Sequence, residues 1–303
     1  MPRYLGLDFG GTKLAAGVTD ETGRLLRFAR CPTDPSGGPE AALAALHALV
    51  CELGADDPHA ERFQAVGISF GGPVDQSRQH CLLSHHCPGW QDFPLVDRVS
   101  EIWHCRAEMD NDANAAALGE YRFGAGRGRR NMLYVTVSTG IGGGVIADGG
   151  LYRGSHGLSG EIGHTIVSLD GPSCSCGKNG CLETYASGPA IARAYASEKD
   201  DARETVTAES VFAAATNGDQ LAQRVLHRAI QALGIGLANA SNLFDPDVIV
   251  IGGGVSRAGS ALFVPLREVT RALSSPAPAD AVEIVPAELG DQVGVVGAIA
   301  LVV

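Results

Sequence analysis

Short apolar runs that end in glycine alternate along this chain with longer stretches of helical periodicity. Residues 4–18 read as strand, glycine turn, strand: Tyr4-Leu-Gly-Leu-Asp8, then Phe9-Gly-Gly-Thr-Lys13, then Leu14-Ala-Ala-Gly-Val18. Asp20-Glu21-Thr22-Gly23 follows as a turn, and residues 24–30 resume an extended pattern. Residues 39–53 carry apolar positions at helical spacing behind Ser36-Gly37-Gly38. Ala65–Phe70 is a short apolar strand running into Gly71-Gly72-Pro73. Leu95–Trp103 reads as a helix, residues 107–109 as a buried strand, and residues 113–123 as a helix that stops at Gly124.

At Met132 the opening pattern returns. Leu133-Tyr-Val-Thr-Val137 leads into the glycine turn Ser138-Thr-Gly-Ile-Gly-Gly-Gly144, then Val145-Ile-Ala147 and the turn Asp148-Gly149-Gly150. Two such units half a chain apart predict an internal duplication, one unit opening each lobe. A third cluster, Gly252-Gly253-Gly254, follows the apolar strand at 248–251. Helical patterns occupy 189–197, Ala208–Thr216, 219–243 and 292–303. Strands alternating with helices predict an α/β architecture. The division expected is an N-terminal lobe at 1–124 and a C-terminal lobe at 125–291, with the last helix packing back on the first lobe.

Composition narrows the function. The 303 residues are 45% hydrophobic and 19% charged, as in a soluble globular protein large enough to bury a substantial core. No apolar run reaches the roughly 18 residues that span a bilayer, so no membrane role is expected. A formal charge of −11 argues against a nucleic-acid partner, whose phosphates need a basic surface. The 40 glycines cluster beside apolar strands, which points to backbone brought close to a ligand. The chain enters its first strand almost at once, with no signal-peptide pattern, so a cytoplasmic location is expected.

Four residues stand out as a metal set. His164, Cys174, Cys176 and Cys181 supply an imidazole and three thiols at short spacing, the ligands of a structural tetrahedral Zn²⁺. Disulfides or a redox pair are the rival reading, disfavoured in a reducing compartment. Glu161 and Glu183 flank the set, so folding around a metal would gather two carboxylates and a ring nitrogen into a polar pocket for a polyhydroxylated ligand.

The glycine turns offer unobstructed backbone N–H groups for phosphate. Gly10-Gly11-Thr12-Lys13 adds a hydroxyl and a positive charge, whereas Ser138-Thr139-Gly140 lacks the charge. Neither the P-loop pattern nor the dinucleotide fingerprint is present. Asp8 ends the first strand, placed to hold Mg²⁺ through water against phosphates, or simply to cap the turn. Asp112 sits at a strand–helix junction, where it is either the helix N-cap or a carboxylate aimed at substrate, two roles that can coexist.

Together, Asp8-Phe-Gly-Gly-Thr-Lys13, Asn111-Asp-Ala-Asn114, Ser138-Thr-Gly-Ile-Gly-Gly-Gly144, Ser159-Gly-Glu-Ile-Gly-His164, the Cys174–Glu183 run and Gly252-Gly-Gly254 resemble the ROK family of sugar kinases, and the wording of residues 151–188 is closest to its bacterial glucokinases. The resemblance spans residues 8–254. It implies an actin/hexokinase-like ATPase fold, two RNase H-like lobes with ATP and sugar meeting in the cleft. It implies Asp112 as catalytic base, and Asn111, Glu161, His164 and Glu183 as sugar ligands, with the second ring nitrogen of His164 on the metal. Gly10, Gly11, Thr12, Lys13, Thr139 and Gly140 would hold phosphates, with Gly252, Gly253 and Gly254 near the nucleotide. The expected reaction is transfer of the γ-phosphoryl of ATP to a hexose 6-hydroxyl, glucose before fructose, N-acetylmannosamine, N-acetylglucosamine or allose. The zinc would be structural, and a homodimer or homotetramer is implied.

A sugar-sensing repressor is the rival class. Such members carry a DNA-binding segment before the kinase-like part, for which Asp8 leaves no room here. His80-Cys81 and His85-His86-Cys87 look like a second metal set but match no ligand pattern. Cys31, Cys51 and Cys105 read as buried small hydrophobes, and residues 198–201 as a solvated helix end.

Overall fold

The computed structural model describes residues 2–54, 63–75, 77, 79–83, 87–199, 206–275 and 282–303. Its first half folds around one five-stranded sheet. Strands β1 (Tyr4–Phe9), β2 (Lys13–Thr19) and β3 (Leu25–Pro32) form an antiparallel meander, and β4 (Ala65–Phe70) and β7 (Arg106–Asn111) add in parallel, giving the order β3-β2-β1-β4-β7. A two-stranded ribbon, β5 (Val74–Asp75) and β6 (His80–Cys81), follows β4. Helices α1 (Gly38–Glu52) and α2 (Leu95–Trp103) cover this sheet, with Leu43, Leu46, Val99 and Trp103 meeting Leu7, Val66 and Ile68 in one core.

The second half repeats the plan. β8 (Met132–Val137), β9 (Ile141–Ala147) and β10 (Gly150–Tyr152) form the meander, and β11 (Val248–Gly252) and β12 (Glu283–Pro286) add in parallel in the order β10-β9-β8-β11-β12. Both sheets thus have one topology, as the repeated strand–turn–strand units predict. Helices α4 (Glu183–Ala186), α5 (Gly188–Lys199), α6 (Ala208–Thr216), α7 (Gln220–Phe244) and α8 (Ser260–Leu273) build the second core on it. Local chemistry fixes their starts: Asp219 caps α7 through the backbone N–H groups of Leu221 and Ala222, and Thr207 with Ser210 forms a capping box on α6.

Two helices join the halves. α3 (Asp112–Phe123) leaves β7 and packs on β8 and β9. The last helix, α9 (Val293–Ala300), packs on α3 and across β1, β2 and β4 of the first sheet. Small residues permit this. A Cβ on Gly67 would lie 1.8 Å from the Ala298 carbonyl oxygen, and one on Gly119 would lie 2.8 Å from the Gly297 Cα.

Several expectations shift. Gly142, Gly143 and Gly144 belong to β9 rather than to the turn, pairing with Thr136, Val135 and Tyr134. Their lack of side chains serves packing, since a Cβ on Gly144 would meet that of Ala117 at 2.6 Å. The strand expected at 107–109 extends to Asn111 because β4 pairs along its whole length. The final helix ends at Ala300, where the chain tightens into turns. Helix α8 and strand β12 had no counterpart in the sequence reading.

Candidate active site between the two sheets

The site begins where three parallel strands end. Asp8, Ser69 and Asp110 stand in register on β1, β4 and β7, so their side chains leave the same face of the sheet. Ser69 donates its hydroxyl to Asp8 Oδ1 at 2.8 Å. Asp8 is buried, and burial raises its pKa, while the Ser69 bond and the Lys13 charge pull it back. Gly294 at the start of α9 lies against the same carboxylate; a Cβ there would sit 2.3 Å from Asp8 Oδ2.

The first glycine turn closes over this strand end. The N–H of Gly10 donates to the Lys13 carbonyl at 3.1 Å, and the Gly10 carbonyl accepts the Thr33 hydroxyl at 2.7 Å. Gly11, Thr12 and Lys13 are exposed or half-buried here. Asp112, at the first position of α3, faces the same turn: a Cβ on Gly71 would lie 3.8 Å from its Oδ2 and 3.7 Å from the Gly10 Cα.

Asn111, not Asp112, is the N-cap of α3. Its Oδ1 accepts the Ala113 N–H at 3.0 Å, and its Nδ2 donates to the Gly72 carbonyl at 3.1 Å. Asp112 Oδ1 shares the Ala113 N–H at 2.8 Å, and its other oxygen, Oδ2, is left toward Gly71 and the first glycine turn. Although exposed, the Asp112 carboxyl is crowded by protein. That desolvation, with Asp8 and then Glu161 as like charges, raises its pKa to about 6 against the pull of the Ala113 N–H. A carboxylate poised there is ionised at neutral pH and basic enough to take a proton.

Across from Asp112 stands the second half of the site. Glu161 is exposed, and its Oε2 lies 4.0 Å from His164 Nε2. The other ring nitrogen, Nδ1, lies 3.6 Å from Cys174 Sγ. His164 therefore faces a carboxylate with one edge and the thiols with the other. Cys176 and Cys181 sulfurs are 3.6 Å apart, and the four ligand atoms all fall within 4.8 Å of one another. Tetrahedral Zn²⁺ with its usual bond lengths sets sulfur–sulfur edges of about 3.8 Å and sulfur–nitrogen edges of about 3.5 Å, so this set fits a zinc ion. The backbone is shaped for it by a small hairpin in which Cys174 N–H donates to the Lys178 carbonyl at 2.8 Å. Gly180 is required there, because a Cβ would fall 1.6 Å from the Ser168 carbonyl oxygen.

The second glycine turn completes the ring. Ser138 N–H donates to the Gly140 carbonyl, and Gly188 N–H to the Ser138 carbonyl, each at 2.8 Å, leaving Thr139 exposed. Glu183 does not stand free: its Oε2 accepts the Ile141 N–H at 2.9 Å, and a Cβ on Gly140 would come within 2.5 Å of that oxygen. Gly252, Gly253 and Gly254 lie beside this turn. A Cβ on Gly253 would meet the Val137 carbonyl oxygen at 2.4 Å, and one on Gly254 would be 4.0 Å from Ser138 Oγ.

Asp8, Asp112, Glu161 and His164 are linked by these contacts, and Ser138, Gly140, Glu183 and Gly254 by those of the second turn. The second metal set does not form among the described residues. His85 and His86 lie outside them, His80 Nδ1 pairs with Asp92 at 3.1 Å, and buried Cys81 packs on Met109. The sequence reading missed Ser69, Asp110, Arg153 and Glu120. The last is a buried carboxylate that accepts the N–H groups of Ala125, Glu288 and Leu289 beside both crossings between the halves. Asp110 adjoins Asn111-Asp112, which was the one available signal for it.

Two sheets of one topology, joined by crossing helices around an acidic, glycine-turned site, define the actin/hexokinase-like ATPase fold. Residues 4–303 match the ROK family. A glucokinase from Halalkalibacterium halodurans is 37% identical over 307 residues, covering 97% of this chain and 93% of that protein. An N-acetylmannosamine kinase from Escherichia coli O9:H4 is 39% identical over 254 residues, covering 84% of each. The structure of a ROK family glucokinase from Streptomyces griseus, in complex with glucose and AMPPNP, superposes with a TM-score of 0.84 at 37% identity, covering 99% of this chain and 98% of that one. This chain belongs to the ROK family.

Proposed function

We propose that the protein is an ATP-dependent hexokinase that transfers the γ-phosphoryl group to the 6-hydroxyl of a hexose, glucose first. The observation that carries this reading is Asp112, a carboxylate with a pKa of about 6 set between the first glycine turn and the Glu161–His164 pair. Phosphoryl transfer passes through a loose transition state, so positioning and charge do most of the work. Asp112 accepts the 6-hydroxyl proton as the new P–O bond forms. Asn111, Glu161, His164 and Glu183 orient the sugar through its other hydroxyls. Gly10, Gly11, Thr12, Lys13, Thr139 and Gly140 receive the phosphates, and residues 252–254 border the nucleotide.

Asp8 would hold Mg²⁺ through water; its buried, under-compensated carboxylate suits a dication. Such an ion offsets charge on the phosphates. His164, Cys174, Cys176 and Cys181 would hold a structural Zn²⁺, since four protein ligands leave no open position for chemistry. The knot they make sets the backbone from which both His164 and Glu183 reach the site.

The lobes run over 1–124 and 125–291, and the protein works as a homodimer or homotetramer in the cytoplasm. No described helix is long and apolar enough to cross a membrane. The N-acetylmannosamine kinase relative makes that sugar the foremost alternative substrate. A coupled ADP-release assay across glucose, fructose, allose, N-acetylglucosamine and N-acetylmannosamine tests the reading. Glucose giving the highest kcat/KM is expected, and turnover with none of them would refute it.

A further inference from the structure

Asp110 is fully buried at the end of β7, next to the Asn111-Asp112 pair, and its carboxylate has three partners. Oδ1 accepts the Asn111 N–H at 2.8 Å and the Asn114 side-chain amide at 2.9 Å. Oδ2 accepts Arg153 Nε at 2.6 Å. The first two bonds stay within the β7–α3 junction. The third crosses the molecule, because Arg153 follows β10 in the second sheet.

Arg153 is also the root of a closed loop. Its carbonyl accepts the Ser159 N–H at 3.1 Å, which folds residues 153–159 back on themselves. Gly160 then docks on β9, where a Cβ would fall 2.4 Å from the Gly143 carbonyl oxygen. The next residue is Glu161, whose charge is felt at Asp112. One side chain therefore ties the loop that presents Glu161 and His164 to the strand end that presents Asn111 and Asp112.

We propose that Arg153 is a positioning residue, its pair with buried Asp110 holding the hexose-binding loop of the second sheet in register with the base on the first. This rests on the hexokinase reading above. A surface pair between flexible side chains would do little. Here one partner is a buried carboxylate already fixed by two further bonds, so the arginine is held in one place and the loop with it. Arg153 touches no reacting atom, and it acts through the distance between the two substrate-facing clusters.

The test uses the full chain with Arg153→Met, Arg153→Lys and the double variant Asp110→Asn/Arg153→Met, which leaves no unpaired buried charge. Wild-type turnover on the hexose panel is read first, so a failure of the kinase reading is seen separately. Arg153→Met is expected to lower kcat/KM for the hexose about tenfold to a hundredfold, the scale of a small misplacement, while KM for MgATP stays within about twofold. Arg153→Lys should recover part of the loss through charge without the planar fork. The double variant, unfolding at the wild-type temperature, should keep the hexose defect. Amide hydrogen exchange across residues 155–161 should quicken in Arg153→Met and in the double variant, whatever the enzyme turns over. Wild-type hexose kcat/KM in the double variant, or hexose and MgATP constants falling alike in Arg153→Met, would overturn the assignment, as would unchanged exchange in that loop.

Discussion

The two sheets share a strand order and differ in what stands at matching positions. In the six-residue strands β1 and β8, Asp8 corresponds to Thr136 and Gly6 to Tyr134. Gly6 leaves room for α9, since a Cβ there would lie 2.4 Å from the Val295 carbonyl oxygen. Tyr134 fills the equivalent space and packs against Gly252, the start of the third glycine cluster. Beyond the strands, the first turn ends in Lys13 and the second leads to Ile141. One copy of the plan thus concentrates charge, with Asp8, Lys13 and Asp112 together. The other offers amides, hydroxyls and a glycine loop. The shared topology places the two turns at matching strand ends, and a few side chains make one charged and the other neutral.

The sharpest way to test that division is to neutralise the charged half. Asp112→Asn should lower kcat by about 10²–10⁴-fold while calorimetry finds hexose binding nearly unchanged; near-normal turnover would remove Asp112 as the base. In the second half, Cys176→Ala should abolish bound zinc in metal analysis and raise the hexose KM about tenfold or more, with lower thermal stability. A soluble variant with intact sugar affinity would separate the thiols from the pocket. The packing difference between the sheets is addressed by Gly67→Ala, which forces a methyl into the Ala298 carbonyl. It should cost about 1–3 kcal/mol or more of unfolding free energy by chemical denaturation. The smallest effect is on pH. Because the free Asp112 carboxyl has a pKa raised to about 6, its active, ionised form is lost as pH falls through that value. Log kcat/KM for the hexose should therefore drop with unit slope below about pH 6, and an acid limb near 4 would show that desolvation does not govern this group.

Much of the site was legible because its chemistry is carried by adjacent residues. The histidine and three cysteines lie within eighteen positions, and glycine turns follow apolar strands directly, so spacing alone groups them. Asp112 was legible as a junction carboxylate, but spacing could not say whether it or Asn111 caps α3. Both side chains accept the Ala113 N–H, and of the two Asn111 also holds the Gly72 carbonyl. Glu183 looked free from its place after Cys181, whereas it is bound to Ile141, some forty residues earlier in the chain. Gly142 to Gly144 looked like a phosphate loop and are strand residues, because glycine tolerates close packing as readily as it frees backbone.

By itself, then, the sequence determined the duplicated strand–turn–strand plan, the grouping of His164 with three cysteines and the candidates Asp8, Asp112, Glu161 and Glu183, since each follows from local periodicity or short spacing. Only the tertiary structure decided which carboxylates stay available and which are consumed. Asp110 is spent on Arg153 across the sheets, and Glu120 on the backbone at both crossings. Asp112 keeps an oxygen toward the first glycine turn and has its pKa raised to about 6. Burial, like-charge proximity and hydrogen bonding act through space, and partners forty or more residues apart leave no periodic trace in the chain.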